Sequence, residues 1–183
     1  MERTNGTLTL GVFLCALCIL SSGLWTPASA MKMKMKAVNF TYYLHDDFVP
    51  PNVTAVAVAG ANATLTGPFQ LGDIIVFDSV IRKTASNASA QIGHHSGVLV
   101  SLNDPSKKFI SFALDITIHG YSGTMSGSAR IDFTAPSWEE AVSSGTGSFR
   151  GVSGYLTVSA VSLNSAFPVL KYEANLMLPH HSY

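Results

Sequence analysis

The chain has only two cysteines, Cys15 and Cys18, and both fall inside its first apolar stretch. The rest of the sequence is left without a disulfide, a thiol nucleophile or a cysteine metal site. Charge is scarce too: Asp, Glu, Lys and Arg make up 12% of 183 residues and balance to zero. Nothing in that balance provides the basic surface that nucleic acid requires. The one basic run, Lys32, Lys34 and Lys36 alternating with methionine, reads as a solvated terminus. Gly-x-Ser-x-Gly and His-Glu-x-x-His are both missing, which removes the serine-hydrolase elbow and the zinc-protease helix. No apolar run reaches the roughly 20 residues that cross a bilayer, because Leu8 to Leu20 is interrupted by Thr9 and Gly11.

The N-terminal stretch has the form of a secretory signal peptide. Arg3 precedes the apolar segment, and Ala28-Ser29-Ala30 supplies a small-residue cleavage site. The expectation is a leader over 1–30 and a single domain over 31–183, exported, with no membrane attachment after the leader is removed. Four Asn-x-Ser/Thr acceptors follow, at Asn39, Asn52, Asn62 and Asn87, as suits a secreted glycoprotein. Both cysteines would leave with the leader, so packing, or contact between subunits, must hold the domain together.

Period-two alternation dominates the remainder. Val38, Phe40, Tyr42 and Leu44 share one face of a strand, with Asn39, Thr41 and Tyr43 on the other. Further strands are predicted at 53–60, 69–78, 91–102, 108–119, 122–133, 149–163 and 169–178, separated by turn sequences such as Pro50-Pro51-Asn52 and Asn103-Asp104-Pro105. About eight close-spaced strands with no long helical pattern imply an all-β antiparallel barrel or sandwich. Ser137-Trp138-Glu139-Glu140 alone looks helical, as a capping box of one turn. In the strand at 108–119 the face of Ile110, Phe112, Leu114, Ile116 and Ile118 is wholly apolar. It must face either a lumen or an outer layer such as a neighbouring subunit.

Three strings stand in order: Tyr42-Tyr43-Leu44-His45-Asp46, Leu71-Gly72-Asp73-Ile74-Ile75-Val76-Phe77-Asp78, and Gly145-Thr146-Gly147-Ser148-Phe149-Arg150. Together they resemble the dirigent protein family, over roughly Val38 to the C-terminus. The resemblance implies an eight-stranded antiparallel β-barrel that assembles as a homotrimer. It also implies a function in the apoplast: steering phenoxy radicals or quinone methides of the monolignol type toward one stereoisomer in lignan formation. A separate oxidase would supply the radicals, and no metal or organic cofactor would be needed, because orientation is the protein's contribution. A non-catalytic extracellular defence or wall-polymer-binding barrel is the alternative.

Asp46 and Asp78 each end an apolar strand, where partial burial would raise a carboxyl pKa toward a useful range, although strand-end aspartates also form Asx-turns. By the resemblance both lie in the substrate cavity. His94 stands where many dirigent proteins have arginine and Ser153 replaces another, so a forked permanent cation becomes a titratable imidazole in the first case. The expected catalytic set is Asp46, Asp78 and His94. Tyr42, Phe77 and Phe112 are candidates to line the pocket of a planar phenol, with Arg130 and Asp132 as polar partners. His94-His95 is not read as a metal pair, since neighbours in a strand point to opposite faces.

Overall fold

The computed structural model describes residues 34–60, 69–163 and 166–179. The expected leader and Asn62 lie outside the described residues. Nine strands follow in chain order: β1 (Met35–His45), β2 (Ala55–Ala59), β3 (Ile74–Arg82), β4 (Gln91–Ser101), β5 (Lys107–Ile118), β6 (Tyr121–Asp132), β7 (Ser137–Gly145), β8 (Ser153–Ser162) and β9 (Val169–Pro179). All neighbouring pairs are antiparallel, in the order β1-β9-β8-β7-β6-β5-β4-β3-β2.

A further pairing closes the ring. Tyr43, Leu44 and His45 of β1 pair with Arg82, Ile81 and Val80 of β3, while Ala55 to Ala59 of β2 take the next part of the same β3 edge. Nine segments therefore make eight staves, because β1 and β2 are one stave broken at residues 46–54. A closed barrel has no free edge along which another chain could pair.

The alternation decides which side chains fill the interior. Val38, Phe40, Tyr42 and Leu44 of β1, Ile110 to Ile118 of β5 at every second position, and Tyr172, Ala174, Leu176 and Leu178 of β9 are all buried. The apolar face of 108–119 is thus the lumen face. At one end Phe149 plugs the barrel, 6.3 Å from Phe40 and 6.0 Å from Tyr121 between ring centroids. One turn of 3-10 helix, Gly147–Phe149, carries it there, and Gly147 takes φ +57, a left-handed value that a side chain would resist.

Two elements differ from the sequence-based expectation. Residues 137–145 form strand β7, not a helical turn: tertiary pairing with β6 and β8 overrides the capping box. The strand expected at 69–78 instead runs 74–82, so Asp78 sits in mid-strand and not at its end. Among the described residues no helix is long and apolar enough to cross a membrane.

Candidate functional site

The barrel end opposite Phe149 encloses a cavity of about 390 Å³. The same alternation that packs the lower barrel presents Leu44, Ile75, Phe77, Leu99, Ile110, Ile131 and Leu170 to this space. Phe48, Phe69, Phe133 and Trp138 add an aromatic rim. Against this apolar lining stand five polar side chains, Asp46, Ser79, Lys108, Glu140 and Tyr172.

Asp46 lies one residue beyond β1, where the stave breaks and the chain is tied to the segment before β9 by Asp46 N donating to Pro168 O at 3.1 Å. Its Oδ1 accepts hydrogen bonds from the hydroxyls of Ser79 and, at 3.3 Å, Thr54. Burial pushes its pKa up, while those two bonds and the charge of His45 work against the rise.

Glu140 is an inward residue of β7 and is 1% exposed. The Trp138 indole donates to its Oε1 at 3.0 Å, and Oε2 is buried with no well-aligned hydrogen-bond donor among the described residues. Burial raises its pKa to about 7, even though Trp138 and the nearby Tyr172 hydroxyl favour the charged form. A carboxyl of that pKa can donate or accept a proton near neutrality.

Lys108, inward on β5, donates from Nζ to Pro105 O at 2.5 Å and holds the ammonium 4.2 Å from the centre of the Phe69 ring. Burial lowers its pKa, opposed by the charges of Asp73 and Asp104.

Aromatic rings support the cavity from below. Tyr42 stacks on Tyr172 with centroids 5.0 Å apart and planes at 12°. His95 is fully buried among Phe77, Phe112 and Tyr172, edge-on to all three, and neither ring nitrogen has a hydrogen-bond partner among the described residues. Burial drops its pKa to about 3, so it is a neutral packing residue.

The sequence candidates separate accordingly. Asp46 and Phe77 line the cavity. Tyr42 and Phe112 are buried behind it. Asp78 does not share the cavity with Asp46, because the shifted frame of β3 turns Ser79 inward and Asp78 outward. On the outer surface the Asp78 carboxylate is 3.3 Å from His94 Nδ1, with the two side chains 67% and 43% exposed. The His94 backbone N–H also donates to Asp115 at 2.6 Å on that face. Arg130 is exposed on β6. Asp132 also points away from the lumen: it accepts from Thr134 N at 2.9 Å and Thr134 Oγ1 at 2.6 Å, bonds that lower its pKa. Asn39, Asn52 and Asn87 are all exposed, and the Asn87 side chain also meets His45 Nδ1 at 2.8 Å. Glu140, Lys108, Ser79 and Trp138 are site residues that sequence reasoning missed. Period-two counting from Ala141 and Val142 back through Glu140 was the available signal.

The fold is a closed antiparallel barrel with an acid-bearing apolar mouth, the kind of concave site in which small molecules are held. The pattern of the Dirigent-like protein family matches residues 37–177, and the chain belongs to that family. It is 31% identical over 162 residues to Dirigent protein 15 of Arabidopsis thaliana, spanning 82% of this chain and 83% of that protein. Its fold is similar to two solved structures at 20% identity each. The pterocarpan synthase dirigent protein GePTS1 has a TM-score of 0.75 over 85% of this chain and 98% of its own. The pterocarpan synthase dirigent protein PsPTS1 has 0.72 over 80% and 97%.

Proposed function

We propose that this protein binds a phenoxy radical or quinone methide in the mouth of its barrel and directs bond formation toward one stereoisomer. The observation that carries this reading is one apolar, aromatic-rimmed cavity holding two carboxyl groups, Asp46 and Glu140, whose pKa values burial has raised. Its volume lies at the lower end of the roughly 300–1,000 Å³ typical of small-molecule sites, which suits a few aromatic rings and little else. The walls fix the face from which a reacting ring is approached, and the expelled water removes competing addition. The two acids bond phenolic oxygens.

In this reading a separate oxidase generates the radicals, and monolignol-type phenols are the first substrates to try. Two similar folds are named for pterocarpan synthesis, which keeps intramolecular ring closure within the same scheme. The protein is secreted, glycosylated at the exposed Asn39, Asn52 or Asn87, and trimeric. A barrel filled by its own side chains would have favoured the alternative of surface binding to a wall polymer. The test is chiral chromatography of products from coniferyl alcohol and an added one-electron oxidase, with and without the protein. An excess of one enantiomer is expected; racemic products from this and a panel of related phenols would overturn the reading.

A further inference from the structure

Glu140 is not among the residues that the family resemblance picks out, yet it is the carboxyl most committed to the cavity. Asp46 has both Ser79 and Thr54 as donors. Glu140 has Trp138 on Oε1 and the Tyr172 hydroxyl close to the carboxyl, and at 1% exposure its Oε2 has no well-aligned hydrogen-bond donor among the described residues. A buried acceptor with no well-aligned donor is costly, so a fold keeps one most readily where a ligand completes it. Around the ring β7 stands three staves from β1, which places Glu140 and Asp46 on nearly opposite walls. The titratable groups that interact with Glu140 are Tyr172 on β9 and Tyr42 on β1, with Lys108 of β5 and Asp46 lining the same cavity and His95 of β4 behind Tyr172.

Resting on the proposed function, we infer that Glu140 is a catalytic residue: its carboxyl bonds the carbonyl oxygen of a para-quinone methide and protonates it as the ring closes. A hydroxyl of the same molecule forms a C–O bond to the exocyclic methide carbon. The electrons of the exocyclic double bond move through the ring to the carbonyl oxygen, which takes the Glu140 proton and becomes a phenol. The proton lost by the attacking hydroxyl passes to the Asp46 carboxylate. Exchange with water resets both acids, and nothing is oxidised or reduced.

Trp138 provides a readout independent of turnover. The sequence has two tryptophans, and Trp25 falls in the expected leader. Trp138 emission should follow the protonation of Glu140 with a midpoint near pH 7, and Trp138→Phe and Glu140→Gln should each abolish that transition. The ligand for the titration is 4-propyl-1,2-dimethoxybenzene, whose oxygens accept but cannot donate. Binding should raise the midpoint by about one pH unit, equivalent to about tenfold tighter binding to the protonated form. Glu140→Gln should bind the ligand within about threefold of the parent, since an amide can still donate one hydrogen bond. With coniferyl alcohol and oxidase, however, this variant should lose the directed product by about a hundredfold, as expected for removal of a general acid.

Binding that leaves the midpoint in place, or a Glu140→Gln protein that retains stereochemical control, would overturn the role of Glu140 and leave the proposed function standing. No binding and no stereochemical bias with any phenol would overturn both.

Discussion

Glu140 and His95 are both buried within the barrel and titrate in opposite senses, so together they set the pH range over which the fold is most stable. Glu140 has a folded pKa of about 7, above its ordinary 4.5. The folded state holds a proton that the unfolded chain releases, so this contribution is full below pH 4.5 and is lost as pH rises through 7. It amounts to about 3 kcal/mol. His95 has a folded pKa of about 3, below its ordinary 6.5. Here the unfolded chain binds the proton, and stability is lost as pH falls from 6.5 toward 3. Between about 4.5 and 6.5 the two slopes cancel. Urea denaturation across pH 3–9 should therefore give a plateau in that window with a fall on each side. In Glu140→Gln the plateau should give way to stability that rises up to about pH 6.5, the alkaline fall should shrink, and at pH 8 this variant should exceed the parent by about 3 kcal/mol. An unchanged alkaline limb would contradict the burial account. Of the acids, Asp46 was legible from its place after an apolar strand. Glu140 was not, because Ser137-Trp138-Glu139-Glu140 satisfies a helix-cap pattern as readily as the first half of a strand.

At the scale of the strand, frame matters more than composition. The alternation fixed the faces of β1 and β5 correctly because each carries four or more inward apolar side chains in succession. In β3 the expected start was early by five residues, and the strand was ended at Asp78 when it continues to Arg82. Ending the strand there makes Asp78 a strand-end acid, while in the barrel it is an outward neighbour of inward Ser79. A polar inward Ser79 and an outward Val76 blur the pattern that would have corrected this. Close strand contact gives a second test. A Cβ on Gly127 of β6 would lie 1.8 Å from the Ala141 carbonyl of β7 and 2.9 Å from Phe112 Cζ. Backbone cannot yield as a flexible side chain would, so Gly127→Ala should cost about 2–3 kcal/mol in urea denaturation. A loss below about 0.5 kcal/mol would mean that β6 and β7 stand further apart than described.

For the whole molecule, the eight-stave closure was anticipated from strand number and resemblance. The break that makes one stave from β1 and β2 was not, since Asp46 to Thr54 reads simply as a loop. The outer surface bears on assembly. Val56 of β2 lies opposite Val76 of β3, which lies opposite Val98 of β4, and Val100 lies opposite Phe109 of β5. Val56, Val76 and Phe109 are 49%, 40% and 43% exposed. Such an apolar band on a closed barrel suits a subunit interface, and light scattering should find a trimer that Val76→Asp dissociates. A monomeric parent protein would contradict that assembly. The claim on which the account most depends is that chemistry belongs to the cavity and not to the outer Asp78–His94 pair. Chiral chromatography of coniferyl alcohol products, comparing the parent protein with Asp46→Asn and Asp78→Asn, tests it most directly. Asp46→Asn should lose the enantiomeric excess while Asp78→Asn keeps it; the reverse pattern would move the chemistry to the outer face.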